Sequence, residues 1–317
     1  MIGIDLGGTQ VRAALVEGAH VLRRAKTKTH ADGGPTAILK QFEQLISEIC
    51  GPDDWKRLAG VGVSAPGPLD SKTGTILGIP TLPSWEDFAL RDVLASNLRL
   101  PVVVENDGIA AAYGEWQYGA GISLDNLVYV TVSTGIGGGV VVDGRLMHGR
   151  RGMAGHVGHF KMSPDGPRCS CGAMGCFEAF ASGTALGKRA RETAHHYPAS
   201  LLGRLSATES IEAHHVAEGA RQDDPICLAL LCEEANYLGV GFTGLIHLFS
   251  PDRIIMGGGV SQAFDLLEHD VHAVIRRDAM PPFKTVPVVR SLLGDNSGLI
   301  GAAALALSEI EGKLNTR

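Results

Sequence analysis

Residues Ile2 to Thr27 read IGIDLGGTQVRAALVEGAHVLRRAKT. Three short runs of strand composition, IGID, VRAALVE and HVLRRAKT, are separated by the turns LGGT and EGAH, and strands joined so tightly form a meander. A second meander begins near Asn126, in NLVYVTVS, GGGVVVDG and RLMHG, again with glycines between its first two strands.

The same alternation follows each meander. After the first, apolar Ile38, Phe42, Leu45, Ile46 and Ile49 at helical spacing predict a helix over about 35–49. LAGVGVS from Leu58 is a buried strand, 87–98 is helical, PVVVEN is a strand, and a helix runs from Asp107 to about Tyr118. After the second come helical segments over about 182–244, a strand in DRIIMGGG, a late strand TVPVVR and a small-residue helix GLIGAAALALSEIEG. Two copies of meander, helix, strand, helix, strand predict a duplicated α/β protein with two lobes around a cleft. The expected division is a small N-terminal lobe over 1–107, onto which a C-terminal helix at about 296–317 packs back, and a large lobe over 108–295. No Pro/Ser-rich or charge-block linker separates the halves, so they are expected to pack and hinge.

Composition narrows the function. The 317 residues are 44% apolar, enough for a sizeable core. A net charge of -6, with no basic stripe or run, argues against nucleic acid as a partner. MIGIDLGG has none of the features of a signal peptide, and no run of about 18 apolar residues occurs, so no membrane partner and a cytoplasmic location are expected. Of the cysteines, Cys50, Cys227 and Cys232 are scattered while Cys169, Cys171 and Cys176 crowd together. In a reducing compartment such crowding points to a metal.

Glycines carry the next signal. DLGGT (Asp5 to Thr9) and STGIGGG (Ser133 to Gly139) occupy matching places in the two halves. Either turn alone reads as a tight hairpin. Together, each with a hydroxyl residue beside its glycines, they read as turns whose backbone N–H groups converge on phosphate. Asp5 beside the first could hold magnesium through water. MGGGV (Met256 to Val260) ends a strand and would let a nucleotide base or ribose lie flat on backbone. Neither a Gly-Lys-Ser/Thr phosphate loop nor a G-x-G-x-x-G fingerprint is present.

In VVVEND the strand ends at Glu105 and the chain turns into a helix at Asp107. Asp107 could serve as a base at the carboxyl end of the sheet, or Asn106 or Asp107 could simply cap the helix. Further on, His159-x9-Cys169-x-Cys171-x4-Cys176 offers the Cys₃His set of a structural zinc site, with Gly172 and Gly175 letting the loop double back. His156 is then either a packed structural histidine or a ligand-facing one. The histidine pairs at 195–196 and 214–215 read as helix surface and loop.

DLGGT, ENDGIAAA, STGIGGG, GHVGH, CSCGAMGCFEA and MGGGV occur in the order and spacing of the ROK family (repressor, open reading frame, kinase), which the chain resembles over essentially its whole length. The resemblance implies an actin-like, ribonuclease-H-like ATPase fold and ATP-dependent phosphorylation of a hexose, usually at the 6-hydroxyl; within the family the chain looks most like bacterial glucokinases. It implies Asp107 as the catalytic base and sugar contacts from Gly67, Asn106, Asp107, His156, His159 and Glu178. It implies ATP or phosphate contacts from Asp5, Gly7, Gly8, Thr9, Thr134, Gly135, Gly137, Gly257, Gly258 and Gly259. Structural zinc is expected on His159, Cys169, Cys171 and Cys176, magnesium at Asp5, and a homodimer or homotetramer. GHVGH departs from the GExGH of many members and is similar to the motif of bacterial N-acetylmannosamine kinases, an alternative with the same chemistry. Gln10 and Thr81 are two further departures from the glucokinase pattern. Repressors in the family resemble this chain only after an N-terminal helix-turn-helix, whereas Asp5 stands at its start; that points to a kinase.

Overall fold

The computed structural model describes residues 1–79, 82 and 84–312; Thr81 lies outside them. The strands are β1 (Ile2–Leu6), β2 (Gln10–Glu17), β3 (His20–Lys28), β4 (Val61–Ala65), β5 (Leu69–Asp70), β6 (Thr75–Ile76), β7 (Val102–Asn106), β8 (Leu127–Val132), β9 (Ile136–Val142), β10 (Arg145–Leu146), β11 (Arg253–Gly257) and β12 (Val288–Arg290). The helices are α1 (Gly34–Ile49), α2 (Pro52–Trp55), α3 (Leu90–Leu98), α4 (Asp107–Tyr118), α5 (Phe177–Ala181), α6 (Gly183–His196), α7 (Leu201–Leu205), α8 (Ala213–Ala220), α9 (Pro225–Phe249), α10 (Phe264–Asp278) and α11 (Ser297–Ile310).

One sheet has the order β3-β2-β1-β4-β7 and the other β10-β9-β8-β11-β12. Each is a meander extended by two parallel strands, β4 and β7 after β1, and β11 and β12 after β8. The duplication read from sequence is therefore written in the strand order. The β1–β2 turn and the β8–β9 turn hold the same topological place.

The chain divides into two compact units, one of residues 1–125, 138–155 and 292–317, the other of 126–137 and 156–291. In the first, alternation along β1 sends Ile2, Ile4 and Leu6 into a core shared with Ile38 and Phe42 of α1. Gly3 faces α11 instead. A Cβ on Gly3 would lie 2.2 Å from the Leu299 carbonyl oxygen and one on Gly62 1.9 Å from that of Ala302, so α11 rests on bare backbone of β1 and β4. Gly301 lets the same helix meet α4, its absent Cβ falling 1.8 Å from the Ala110 carbonyl oxygen. This close packing is why α4 and α11 both belong to the first unit, and why the break expected at residue 107 falls inside it. In the second unit α9 is long and apolar enough to span a bilayer by composition alone. It is a core helix here, with Leu238, Phe242, Leu245 and Ile246 buried.

Candidate active site

In the first unit the Gly7–Thr9 turn is fixed from below. The Gly7 N–H donates to the Gln10 carbonyl at 2.9 Å, and the Thr29 hydroxyl donates to the Gly7 carbonyl at 2.7 Å. Gly8 and Thr9 at the tip are exposed. Asp5 lies at the root of this turn. One carboxylate oxygen accepts Arg12 Nη2 at 2.6 Å and Nε at 3.0 Å, and the other accepts the Ser64 hydroxyl at 2.9 Å. Gly298, in the first turn of α11, leaves room for this carboxylate, which also favours it electrostatically. With both oxygens engaged, Asp5 suits a magnesium ion reached through water, not one bound directly. Arg12 was not singled out from sequence, although it is the direct cross-strand neighbour of Asp5 and hairpin register would have found it.

The strand-to-helix corner at β7 and α4 settles which residue caps. Asn106 is the N-cap, its side-chain oxygen accepting the Gly108 N–H at 3.0 Å. Asp107, half-buried in the first helical position, also meets that N–H, at 2.8 Å. Burial pushes its pKa up, opposed by the Gly108 N–H and reinforced by the charge of Asp5, to about 6. A carboxylate so placed is ionised at neutral pH yet holds a proton well enough to act as a general base. Gly67 precedes Pro68 through a cis peptide bond between β4 and β5.

In the second unit the Ser133 N–H donates to the Gly135 carbonyl and the Gly183 N–H donates to the Ser133 carbonyl, at 2.9 and 2.7 Å. The turn thereby joins the start of α6. Gly258 follows β11 with φ of +83°, and a Cβ there would lie 2.4 Å from the Val132 carbonyl oxygen. Ser133, Thr134, Gly259 and Val260 consequently line one cavity of about 550 Å³, together with Thr184 and Arg191 of α6 and His214 of α8. Thr184, Arg191 and His214 carry no local sequence signal, since only the packing of α6 and α8 brings them to the cavity. Gly257 faces Tyr129. Gly135 is kept bare by Glu178, whose Oε2 would stand 2.5 Å from a Cβ.

His159, Cys169, Cys171 and Cys176 gather with their ligand atoms within 4.8 Å of one another. Cys169 Sγ lies 3.6 Å from His159 Nδ1 and Cys171 Sγ lies 3.8 Å from Cys176 Sγ. A tetrahedral zinc with bonds of about 2.3 Å to sulfur and about 2.0 Å to nitrogen requires edges of about 3.6 and 3.8 Å, so the donor set fits that ion. Nδ1 is the His159 nitrogen that faces the Cys169 sulfur. His156 stands outside this group, its ring 6.2 Å from that of His159. Partial burial and the neighbouring His159 lower its pKa below the ordinary imidazole value. The pairs His195–His196 and His214–His215 form no metal group among the described residues; buried His215 instead accepts the Glu212 N–H at 3.0 Å to close the start of α8.

A profile of the ROK family matches residues 1–309. The chain belongs to the ROK family. Among ROK proteins it is 36% identical to the glucokinase of Thermotoga maritima over 315 residues, covering 98% of each chain. It is 33% identical to the N-acetylmannosamine kinase of Yersinia pseudotuberculosis, covering 98% of this chain and 99% of the relative. The solved ROK family glucokinase from Streptomyces griseus in complex with glucose and AMPPNP superposes with a TM-score of 0.84 at 36% identity, covering 97% of this chain and 99% of that one.

Proposed function

We propose that this ROK protein is an ATP-dependent hexose kinase that phosphorylates glucose at the 6-hydroxyl. The observation that carries the reading is Asp107: Asn106 takes the capping duty, and the carboxylate is left half-buried at the sheet's carboxyl end with a pKa of about 6. A carboxylate of that basicity, with one oxygen accepting the Gly108 N–H, has a use in phosphoryl transfer, where a hydroxyl proton must leave as the oxygen attacks.

On this reading Asp107 accepts the proton of the sugar 6-hydroxyl while that oxygen forms its bond to the γ-phosphorus of ATP. The bond from phosphorus to the β–γ bridging oxygen breaks, and ADP leaves with that electron pair. In the first unit Asn106 and Gly67 would contact the sugar and the exposed Gly8–Thr9 tip of the turn would donate to phosphate, the Gly7 N–H being taken by the Gln10 carbonyl. The second supplies His156, His159 and Glu178 toward the sugar, and its cavity takes the nucleotide, with Thr134, Gly135 and Gly137 toward the phosphates and Gly257–Gly259 beneath the base or ribose. Asp5 would hold magnesium through water; when bound, that ion offsets charge on the transferring phosphoryl group. Zinc on His159, Cys169, Cys171 and Cys176 would fix the loop that carries the second unit's sugar contacts.

The similar N-acetylmannosamine kinase and the histidine at position 156 favour a second substrate, N-acetylmannosamine, turned over by the same chemistry. The test is ADP release over glucose, mannose, glucosamine, N-acetylglucosamine, N-acetylmannosamine and fructose. Glucose should give the highest kcat/KM, and no ADP release above the ATPase background with any of the six would refute the kinase reading.

A further inference from the structure

Glu105 is 2% exposed, at the end of β7, one residue before Asn106. Its Oε1 accepts the backbone N–H of Asn106 at 2.7 Å, and its Oε2 faces His148 Nε2 at 3.1 Å. A carboxyl group this deep needs a partner for each of its oxygens. His148 is the one cationic side chain in ion-pair contact with it among the described residues. His148 belongs to the stretch after β10, which is tied down at further points of the same unit. Arg151 pairs with buried Asp70 at 2.6 Å, the Ser71 N–H donates to the Arg151 carbonyl at 3.2 Å, and the Ala154 N–H donates to the His148 carbonyl at 3.0 Å. The imidazole is thus held against Glu105 from its own side.

We infer that His148 is a positioning residue for the phosphoryl transfer: its protonated ring holds Oε2 of Glu105 in place, and Glu105 through Oε1 fixes the Asn106 backbone and with it the first turn carrying Asp107. The inference rests on the kinase reading above. Other groups acting on the pair are the Leu146 backbone at the ring, Glu309 of α11, and Arg91 of α3, which acts on Glu309. The Glu105 hydrogen bond raises the His148 pKa above its ordinary 6.5, with burial opposing and Glu309 assisting. Sign follows directly: the charged pair is complete below pH 6.5 and is lost as pH rises through the raised value. Activity is then bounded on the acid side by Asp107 and on the alkaline side by His148.

Two readouts test this. The pH profile of kcat should fall on its alkaline side in the wild type and lose that fall in His148→Gln, whose amide still donates to Glu105 but does not titrate. His148→Ala, with neither donor nor charge, should lose about tenfold or more in kcat at every pH, as a displaced base does, with KM for ATP within twofold. Independently of turnover, the imidazole resonance absent from His148→Gln should titrate above 6.5 in the wild type and at a lower pH in Glu105→Gln, where burial is no longer opposed by the Glu105 carboxylate. An alkaline limb unchanged in His148→Gln, or wild-type kcat in His148→Ala, would overturn the inference. If no hexose is phosphorylated, the kinase reading fails on its own and the resonance still decides whether His148 pairs with Glu105; a His148 titration at or below 6.5 in the wild type would sink the pairing.

Discussion

Glu178 accepts the backbone N–H of Ile136 at 2.9 Å, joining helix α5 to the strand that leaves the Ser133–Gly135 turn. Its other oxygen accepts the Ser170 hydroxyl at 2.5 Å and the Cys169 thiol at 3.4 Å. One carboxylate therefore ties the Ser133–Gly135 turn of the second unit to the cysteine-bearing loop. Glu178→Ala should raise KM for sugar about tenfold or more, the scale of a lost charge-assisted hydrogen bond, and should raise KM for ATP as well. Steady-state kinetics varying each substrate in turn would show it; a change confined to the sugar would limit Glu178 to sugar binding.

Asp107→Asn should lower kcat by about 10²-fold or more while sugar KM stays within about threefold. For the wild type, kcat/KM should fall as pH drops through about 6, where Asp107 takes up its proton. The effect on stability has the opposite sign to that of a salt-bridged aspartate. A folded pKa raised above 3.8 means the ionised form costs stability above about 6, and none of that cost remains below 3.8. Thermal melts should therefore show Asp107→Asn more stable than the wild type at pH 8, with the gain shrinking toward pH 4. Equal turnover in mutant and wild type would remove the base from Asp107.

Protein purified without added metal should carry about one zinc per chain, measured by elemental analysis. Cys171→Ser should lose the metal along with thermal stability and activity, because a closed site couples metal affinity to folding. Full activity of folded, metal-free protein would show that the loop needs no ion.

Replacing His156 by glutamate should leave zinc content unchanged, because only His159 belongs to the thiolate group. An imidazole can donate and accept whereas a carboxylate only accepts, so His156→Glu should shift preference toward glucose over N-acetylmannosamine by roughly 2- to 12-fold. With its pKa held below the ordinary 6.5 by burial and by His159, His156 should gain its proton at a lower pH than a free imidazole, and sugar affinity should weaken as pH falls through that range. Unchanged specificity ratios would make His156 part of the scaffold.

Much of this site is legible in the chain because its parts are local. The turns at Gly7 and Gly135, the Asn106–Asp107 corner and the Cys₃His spacing each need particular residues close in sequence. What needs distant partners is not legible. Glu105 and His148 meet only because the stretch after β10 returns to β7, and the wall of the cavity forms only when α6 and α8 pack. The helical segments expected over about 182–244 are four helices, α6 to α9, with Ser182, Ser200 and Asp224 capping three of the starts and Pro225 opening the last. Helix α10, which the alternation read from sequence leaves out, is legible by periodicity, since its buried Phe264, Leu267, Val271, Val274 and Ile275 recur at helical spacing.

The contact of α11 with β1 and β4 has a bearing on the order in which the protein is made. Gly3 and Gly62 leave the ribosome well before the backbone they press against, at Leu299 and Ala302. Between residues 125 and 297 lies the whole of the second unit's sequence. At 5–20 residues per second the early sheet waits on the order of 10–40 s for its covering helix. Until then Asp5 has neither the first turn of α11 beside it nor the Asp295 carbonyl that receives Arg12 Nη1. The nascent chain thus carries the Gly7–Thr9 turn and Asp5 in unfinished surroundings, which are completed only once α11 has been made.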